Sequence, residues 1–380
     1  MIVLKNLLAR TVSPIAALSG LAFINAYLTD KQSDNVVFLL YIIFLISGWC
    51  SLSHRQKLLS EIHLAKINKR KSKLYIYSSA AMTTVIIASM CIDTFTLGLL
   101  KIERSFSLVF SLFLFLIASH LLALVYSNCW SRNKLHISYI ADGSLNFSLI
   151  IGLLLHGAFG APLVSTWSII FLSLSIGFLI STRSHIQLNK LTMNKGIAAS
   201  WVNSQLIAFI SYFEVFLFAD VSGKGMYEYR LAIVIASIFV TIAVVFRQTA
   251  IAKNKLELNK IFLYVCLGFS LLTFLYYWKM SPSSLTQSLI VFIIMSILQA
   301  IVSVYTYKLH STNASHLVLL GTILTAVFAL LLLYHGLAEV SPASVIGYKI
   351  LLVCCNIVIL SAIMIFYSTQ NKPADNLREF

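Results

Sequence analysis

The chain has 380 residues, of which 59% are hydrophobic and only 11% charged. A soluble globular domain carries roughly 45–50% apolar and about 25% charged residues, so a soluble fold is excluded for most of this polypeptide. The formal net charge of +15 would suit a nucleic-acid binder, but the basic residues lie in short breaks between apolar runs, where membrane proteins keep them for orientation. No nucleic-acid partner is expected.

Apolar runs close to the roughly 20 residues that cross a hydrocarbon core recur along the whole chain. Backbone in lipid must be hydrogen-bonded internally, which leaves helices or a closed barrel. Barrel strands read as alternating segments of about ten residues, whereas Phe38 to Ile46 and Leu319 to Leu333 are continuous. The prediction is an all-α polytopic membrane protein with about twelve transmembrane helices. In chain order they cover 12–28, 35–53, 75–97, 106–127, 137–156, 163–181, 199–219, 230–249, 261–278, 285–306, 315–335 and 343–367. Lys5 and Arg10 before apolar residues resemble the start of a signal peptide, but the run continues to about Tyr27 and reads as the first span, interrupted by Pro14. No segment between spans is long enough for a folded domain.

Orientation follows from Lys and Arg. Of the 28 such residues, 21 fall in the N-terminus, the even-numbered loops and the C-terminus, which predicts both termini in the cytoplasm. The largest basic cluster runs from Arg55 to Lys73 and would sit near anionic lipid. Span two ends at His54-Arg55-Gln56 and span eight at Phe246-Arg247-Gln248, each before a basic loop. That hint of duplication fits two parallel six-span halves, 1–190 and 191–380.

Ionisable groups inside a bilayer are costly and usually face a bundle interior or an aqueous cavity. Asp93 lies in span three, Asp142 in span five, and Glu214 in span seven with Asp220 at its end. His120 and His156 lie near span ends and read more simply as hydrogen-bonded packing residues. Arg230 and Lys349 open spans eight and twelve, where long basic side chains commonly snorkel to the interface. Glu214 has no basic residue within a turn of its own span, so it must face water, find a partner on another helix or be protonated. The six cysteines lack metal-ligand spacing and read as packing residues. There is no Gly-rich phosphate loop, HExxH or GxSxG, so no cofactor, metal or soluble-enzyme chemistry is expected.

A Pro-bearing first helix after Lys5 and Arg10, a small outer loop, a long basic inner loop, and Gly225-Met226-Tyr227 ahead of Leu231-Ala232 together form a pattern. It resembles the polysaccharide flippases of the multidrug/oligosaccharidyl-lipid/polysaccharide exporter superfamily, the Wzx-type O-antigen flippases in particular. The acid that often opens helix seven in those proteins would fall near Ser211, one turn before Glu214, and Glu228 replaces a small residue after Tyr227. The resemblance implies two six-helix bundles around a central cavity. It also implies movement of an undecaprenyl-diphosphate-linked oligosaccharide across the bacterial inner membrane by alternating access, without enzymatic chemistry. Arg10, Arg55 and Arg247 would meet the diphosphate on the inner side, because arginine binds two oxygens at once. Asp142 and Glu214 would line the substrate path, and Asp93 and Glu214 would couple to H⁺ or Na⁺.

Two other readings stay open: an integral-membrane glycan polymerase, ligase or acyltransferase, and a small-molecule exporter. Such glycan enzymes tend to carry a large outer loop with arginines and a histidine, and the longest outer loop here is about ten residues. Reporter fusions placed at successive hydrophilic breaks should alternate between compartments, starting from a cytoplasmic N-terminus. Failure to alternate would remove the twelve-span reading.

Overall fold

A computed structural model describes residues 2–50, 105–131, 135–182, 195–221, 223–253, 260–279, 284–311, 315–336 and 340–370. The described residues form thirteen helices. They are α1 (Ile2–Tyr27), α2 (Asp30–Cys50), α3 (Phe106–Ser131), α4 (Leu135–Asp142), α5 (Ser144–Phe159), α6 (Leu163–Ser181) and α7 (Lys195–Ser211). After them come α8 (Glu214–Asp220), α9 (Met226–Lys253), α10 (Lys260–Lys279), α11 (Leu285–Ser311), α12 (Ser315–Gly336) and α13 (Pro342–Gln370). Among the described residues, nine helical segments are long and apolar enough to cross a membrane. The chain is an integral membrane protein. The expected span 75–97 and the proposed boundary near residue 190 lie outside the described residues.

Local chemistry sets the turns. Helix α5 ends at Gly160, which adopts φ 66° and donates its N–H to the His156 carbonyl at 2.9 Å. Only glycine enters that left-handed region at little cost. Pro162 then precedes α6 with an extended backbone, and the His156 ring bonds the Ala161 carbonyl at 2.7 Å. The α5–α6 hairpin is sealed by Trp167, whose Nε1 donates to the Leu145 carbonyl and to Ser148 Oγ, both at 3.1 Å. Gly152 lets α5 and α6 approach closely, since a Cβ there would stand 3.3 Å from Trp167 Cβ and 3.4 Å from its Cα.

Two of the predicted spans are each built from two helices. The fifth is α4 and α5, divided at Gly143, and the seventh is α7 and α8, divided at Tyr212-Phe213. Pro14 lies inside α1, where its ring removes the N–H that would otherwise bond the Arg10 carbonyl.

In the first bundle α6 lies against α3 and α5, and α1 against α4 and α5. In the other bundle α13 packs against α10, α11 and α12, and α9 against α11. Large apolar side chains stay exposed on the outside, among them Ile180, Ile261, Leu272 and Tyr334. In water such surface would drive association, whereas lipid solvates it.

The bundles meet along a seam in which α1 runs beside α9, and α2 beside α7 and α9. Gly48 on α2 lies so close to α7 that an added Cβ would stand 2.6 Å from the Cβ of Ala208. Gly48→Ala should therefore cost about 1–3 kcal/mol through overpacking and lower the unfolding temperature in detergent. Adding Ala208→Gly should restore most of it, because the next atom, Ala208 Cα, lies at an ordinary 3.6 Å. Additive losses in the double variant would show that the seam does not close at this pair.

Candidate functional site

The division of span seven has a hydrogen-bonding cause. Between α7 and α8 the bonds tighten to the i→i−3 type: Val215 N–H donates to Tyr212 at 3.1 Å and Phe216 N–H to Phe213 at 3.1 Å. Val215 is the residue that would bond the Ser211 carbonyl in a continuous helix. That carbonyl, freed, accepts from Lys349 Nζ on α13 at 2.9 Å, and the same ammonium donates to Glu214 Oε1 at 2.6 Å. Glu214 is completely enclosed and the Lys349 side chain is 14% exposed. Removing one member of such a pair leaves an uncompensated charge and typically costs about 3–5 kcal/mol. The ring of Tyr229 lies 5.9 Å from Nζ. The Tyr229 hydroxyl is buried beside the Glu214 carboxylate.

A second acid sits at the division of span five. Asp142 ends α4, Gly143 N–H bonds Ile140 in an i→i−3 turn, and the carboxylate pairs with Arg10 of α1. The Arg10 guanidinium also lies 5.4 Å over the Tyr139 ring. Each bundle therefore holds an acid at a helix break, bonded to a cation on another helix of the same bundle. Non-helical backbone at membrane depth is tolerated where protein groups satisfy it.

The seam carries the remaining polar contacts. Asp34, early in α2, accepts from the backbone N–H of Gly225 at 3.1 Å and of Tyr227 at 2.9 Å. It thus caps α9 of the opposite bundle, placing a negative charge at the positive end of that helix. The turn that presents these N–H groups needs Gly223 (φ 80°) and Gly225 (φ 82°), values at which an L side chain is strained. The Tyr227 hydroxyl extends the contact by donating to the Leu21 carbonyl of α1 at 3.2 Å. About one turn further along α9, the Arg230 guanidinium lies 5.3 Å over Tyr41 and 5.5 Å over Phe44, both on α2. Tyr212 stacks on Phe44 at 5.6 Å from the far side of the seam. Arg230 is half-buried and pairs with no carboxylate among the described residues.

The expected site residues are thus distributed. Glu214 and Asp142 are buried or half-buried within separate bundles, and Arg10 is bonded to Asp142. Arg55 and Asp93 lie outside the described residues, as does the side chain of Arg247. Lys349, read from sequence as snorkelling, turns inward to Glu214. Asp34 and Arg230 emerge as cross-bundle contacts. Asp34, four residues into α2, reads in sequence as an interfacial acid, and only the Gly-x-Gly turn at 223–225 hinted that a helix start there needed special geometry.

No protein-family model matches the sequence, and no curated protein matches it. Solved structures do. A D35N mutant of the Vibrio cholerae MATE transporter VcmN superposes with a TM-score of 0.55 at 14% identity, over 97% of this chain and 95% of that one. An outward-facing multidrug resistance MATE family transporter of the MOP superfamily gives 0.54 at 10% identity, over 97% and 94%. A MATE in complex with MaL6 gives 0.51 at 8% identity, over 97% and 94%. The chain has the MATE transporter fold.

The Asp34 cap makes the seam depend on one carboxylate, with each charge-assisted bond contributing about 1.5–3 kcal/mol. Asp34→Ala should shift the protein toward arrangements in which this end of the seam is parted. Spin labels replacing the exposed Lys31 and Lys224, in a cysteine-free background, should report longer and broader distances in that variant. An unchanged distribution would mean that the bonds to α9 do not hold the bundles together.

Proposed function

We propose that this protein is a flippase of the multidrug/oligosaccharidyl-lipid/polysaccharide exporter superfamily, carrying an undecaprenyl-diphosphate-linked oligosaccharide across the bacterial cytoplasmic membrane. The bundles formed by 1–190 and 191–380 rock against each other, with both termini in the cytoplasm, and no covalent chemistry is performed on the substrate. The MATE fold supports alternating access as the mechanism, and the seam supplies a closure at the Asp34 end that such a cycle must open and remake.

One observation carries the choice of substrate. Arg230 stands at the seam stacked on two rings and with no acid beside it among the described residues. A guanidinium has five N–H donors, and one without a carboxylate partner suits a bidentate oxyanion. A diphosphate headgroup meets that requirement, whereas a cationic solute is repelled. Arg55 and Arg247 are proposed as the contacts at the cytoplasmic entrance, together with Arg10, which already holds Asp142. Asp142 and Glu214 border the path of the sugars, and Asp93 remains the candidate for ion coupling in the first bundle.

A small-molecule exporter is the second reading, favoured by the MATE transporters whose fold the chain shares. Deletion of the gene separates the two. Under the flippase reading, full-length lipid-linked repeat units accumulate on the cytoplasmic face and surface glycan is lost. Arg230→Ala then restores surface glycan at least about tenfold less well than wild type, as expected for loss of a charged hydrogen bond. Arg230→Lys gives partial recovery, since a lysine keeps the charge but not the fork. Unchanged lipid intermediates with altered tolerance to a toxic solute would favour the exporter.

A further inference from the structure

Three helices of the second bundle bring uncharged polar side chains together at their midpoints. Asn356 is the central residue of the 29-residue α13, and Gln299 stands one residue past the centre of the 27-residue α11. Thr325 stands at the centre of the 22-residue α12. Gln299 Nε2 donates to Asn356 Oδ1 at 3.1 Å, and Asn356 Nδ2 donates to Thr325 Oγ1 at 3.3 Å. Thr325 ends the relay on the Gly321 carbonyl at 2.9 Å. Each amide has two N–H donors and a carbonyl acceptor. Among the described residues, one N–H of each amide is unspent and the Gln299 carbonyl accepts no bond.

The cluster is turned away from lipid. On α11 the exposed side chains Ile290, Ile294 and Ile301 form one stripe, and Gln299 projects from the opposite side of that helix. Thr325 is likewise opposite the exposed Leu320, Leu324, Val327 and Leu331 of α12, and is fully buried. Gln299 and Asn356 are only half-buried. Amide groups left open at mid-membrane depth, on faces that avoid lipid, need water or a polar solute against them. An interhelical cross-link that served packing alone would gain nothing from the unspent groups.

We infer that Gln299 and Asn356 form a subsite for sugar hydroxyls inside the second bundle, with Thr325 fixing the orientation of the Asn356 amide. The inference rests on the flippase reading and adds to it the part of the headgroup that Arg230 does not meet. A planar amide offers a donor and an acceptor side by side, which suits hydroxyls that both give and accept bonds. None of the three side chains is charged, so they select a neutral, hydroxyl-rich group over an ion. Lys349 lies seven residues before Asn356, on the same face of α13. The subsite therefore stands two turns along that face from the Glu214 pair.

The test is binding to the full-length protein in lipid nanodiscs. Undecaprenyl diphosphate is the sugar-free probe, and the lipid-linked oligosaccharide extracted from the deletion strain is the glycosylated one. Wild type should bind the glycosylated lipid more tightly. Gln299→Met/Asn356→Leu should bind that lipid at least about tenfold more weakly than wild type, for the loss of two hydrogen-bonding groups. Its affinity for undecaprenyl diphosphate should be unchanged. Removing both amides together leaves Thr325 bonded to Gly321, so the unfolding temperature should stay close to that of wild type. Equal affinity of wild type for the two lipids, or of wild type and double variant for the glycosylated one, would overturn the subsite alone. So would an equal loss for both lipids, the mark of a structural cross-link. If the deletion strain accumulates no lipid-linked oligosaccharide, or wild type binds neither lipid, the flippase reading falls and the subsite with it. If the double variant is not recovered folded, Gln299→Met decides by the same comparison. A selective loss of about threefold for the glycosylated lipid then supports the subsite, and no selective loss overturns it.

Discussion

Water is missing from most of this protein's surroundings, and that constraint organises the rest. A backbone carbonyl or carboxylate in hydrocarbon has no solvent to fall back on, so each must be satisfied by the chain itself. The two acids described at helix breaks obey this closely. Asp142 and Glu214 each receive a cation from a different helix of their own bundle. The pairs tie spans together inside a bundle and leave the seam free to be held by other means.

The seam is held by weaker and more reversible contacts. Close packing at Gly48 and Ala208, the cap that Asp34 places on α9, and the stacking of Arg230 on Tyr41 and Phe44 all cross it. None is a mutually buried ion pair. Two backbone bonds to one carboxylate and a few ring contacts can be exchanged for contacts with a solute at modest cost, whereas parting the Glu214–Lys349 pair would strand an enclosed charge. Rigid bundles joined by a labile seam are what the alternating access proposed for this chain would require.

Lys349 alters how the acid of the seventh span should be understood. An isolated buried glutamate invites a proton or metal-ion role. With an ammonium bonded to it and to the Ser211 carbonyl, the charge is already balanced, and the sequence gap between the two residues hides the partnership. The same holds for Arg10 and Asp142, which are distant in sequence and adjacent in space.

The helices themselves were legible because apolar length is a local property. The span predicted at 163–181 coincides with α6, and those predicted from 261 to 367 match α10 to α13 to within a few residues at each end. The left-handed turn at Gly160 and the Pro162 start of α6 are likewise written in neighbouring residues. The break after Ser211 is not, for no proline or glycine marks Ser211-Tyr212-Phe213, and the freed carbonyl is sustained by a lysine more than a hundred positions away. Nor could sequence assign Arg230 and Lys349, since a long basic side chain near a span end can rise to the interface or turn inward. Residue order alone determined that this chain lives in lipid as a bundle of helices, because hydrocarbon thickness and backbone hydrogen bonding are satisfied segment by segment. Which acids meet which cations, and which contacts join the two bundles, only the tertiary structure decided, because those choices depend on the faces that separate helices turn toward one another.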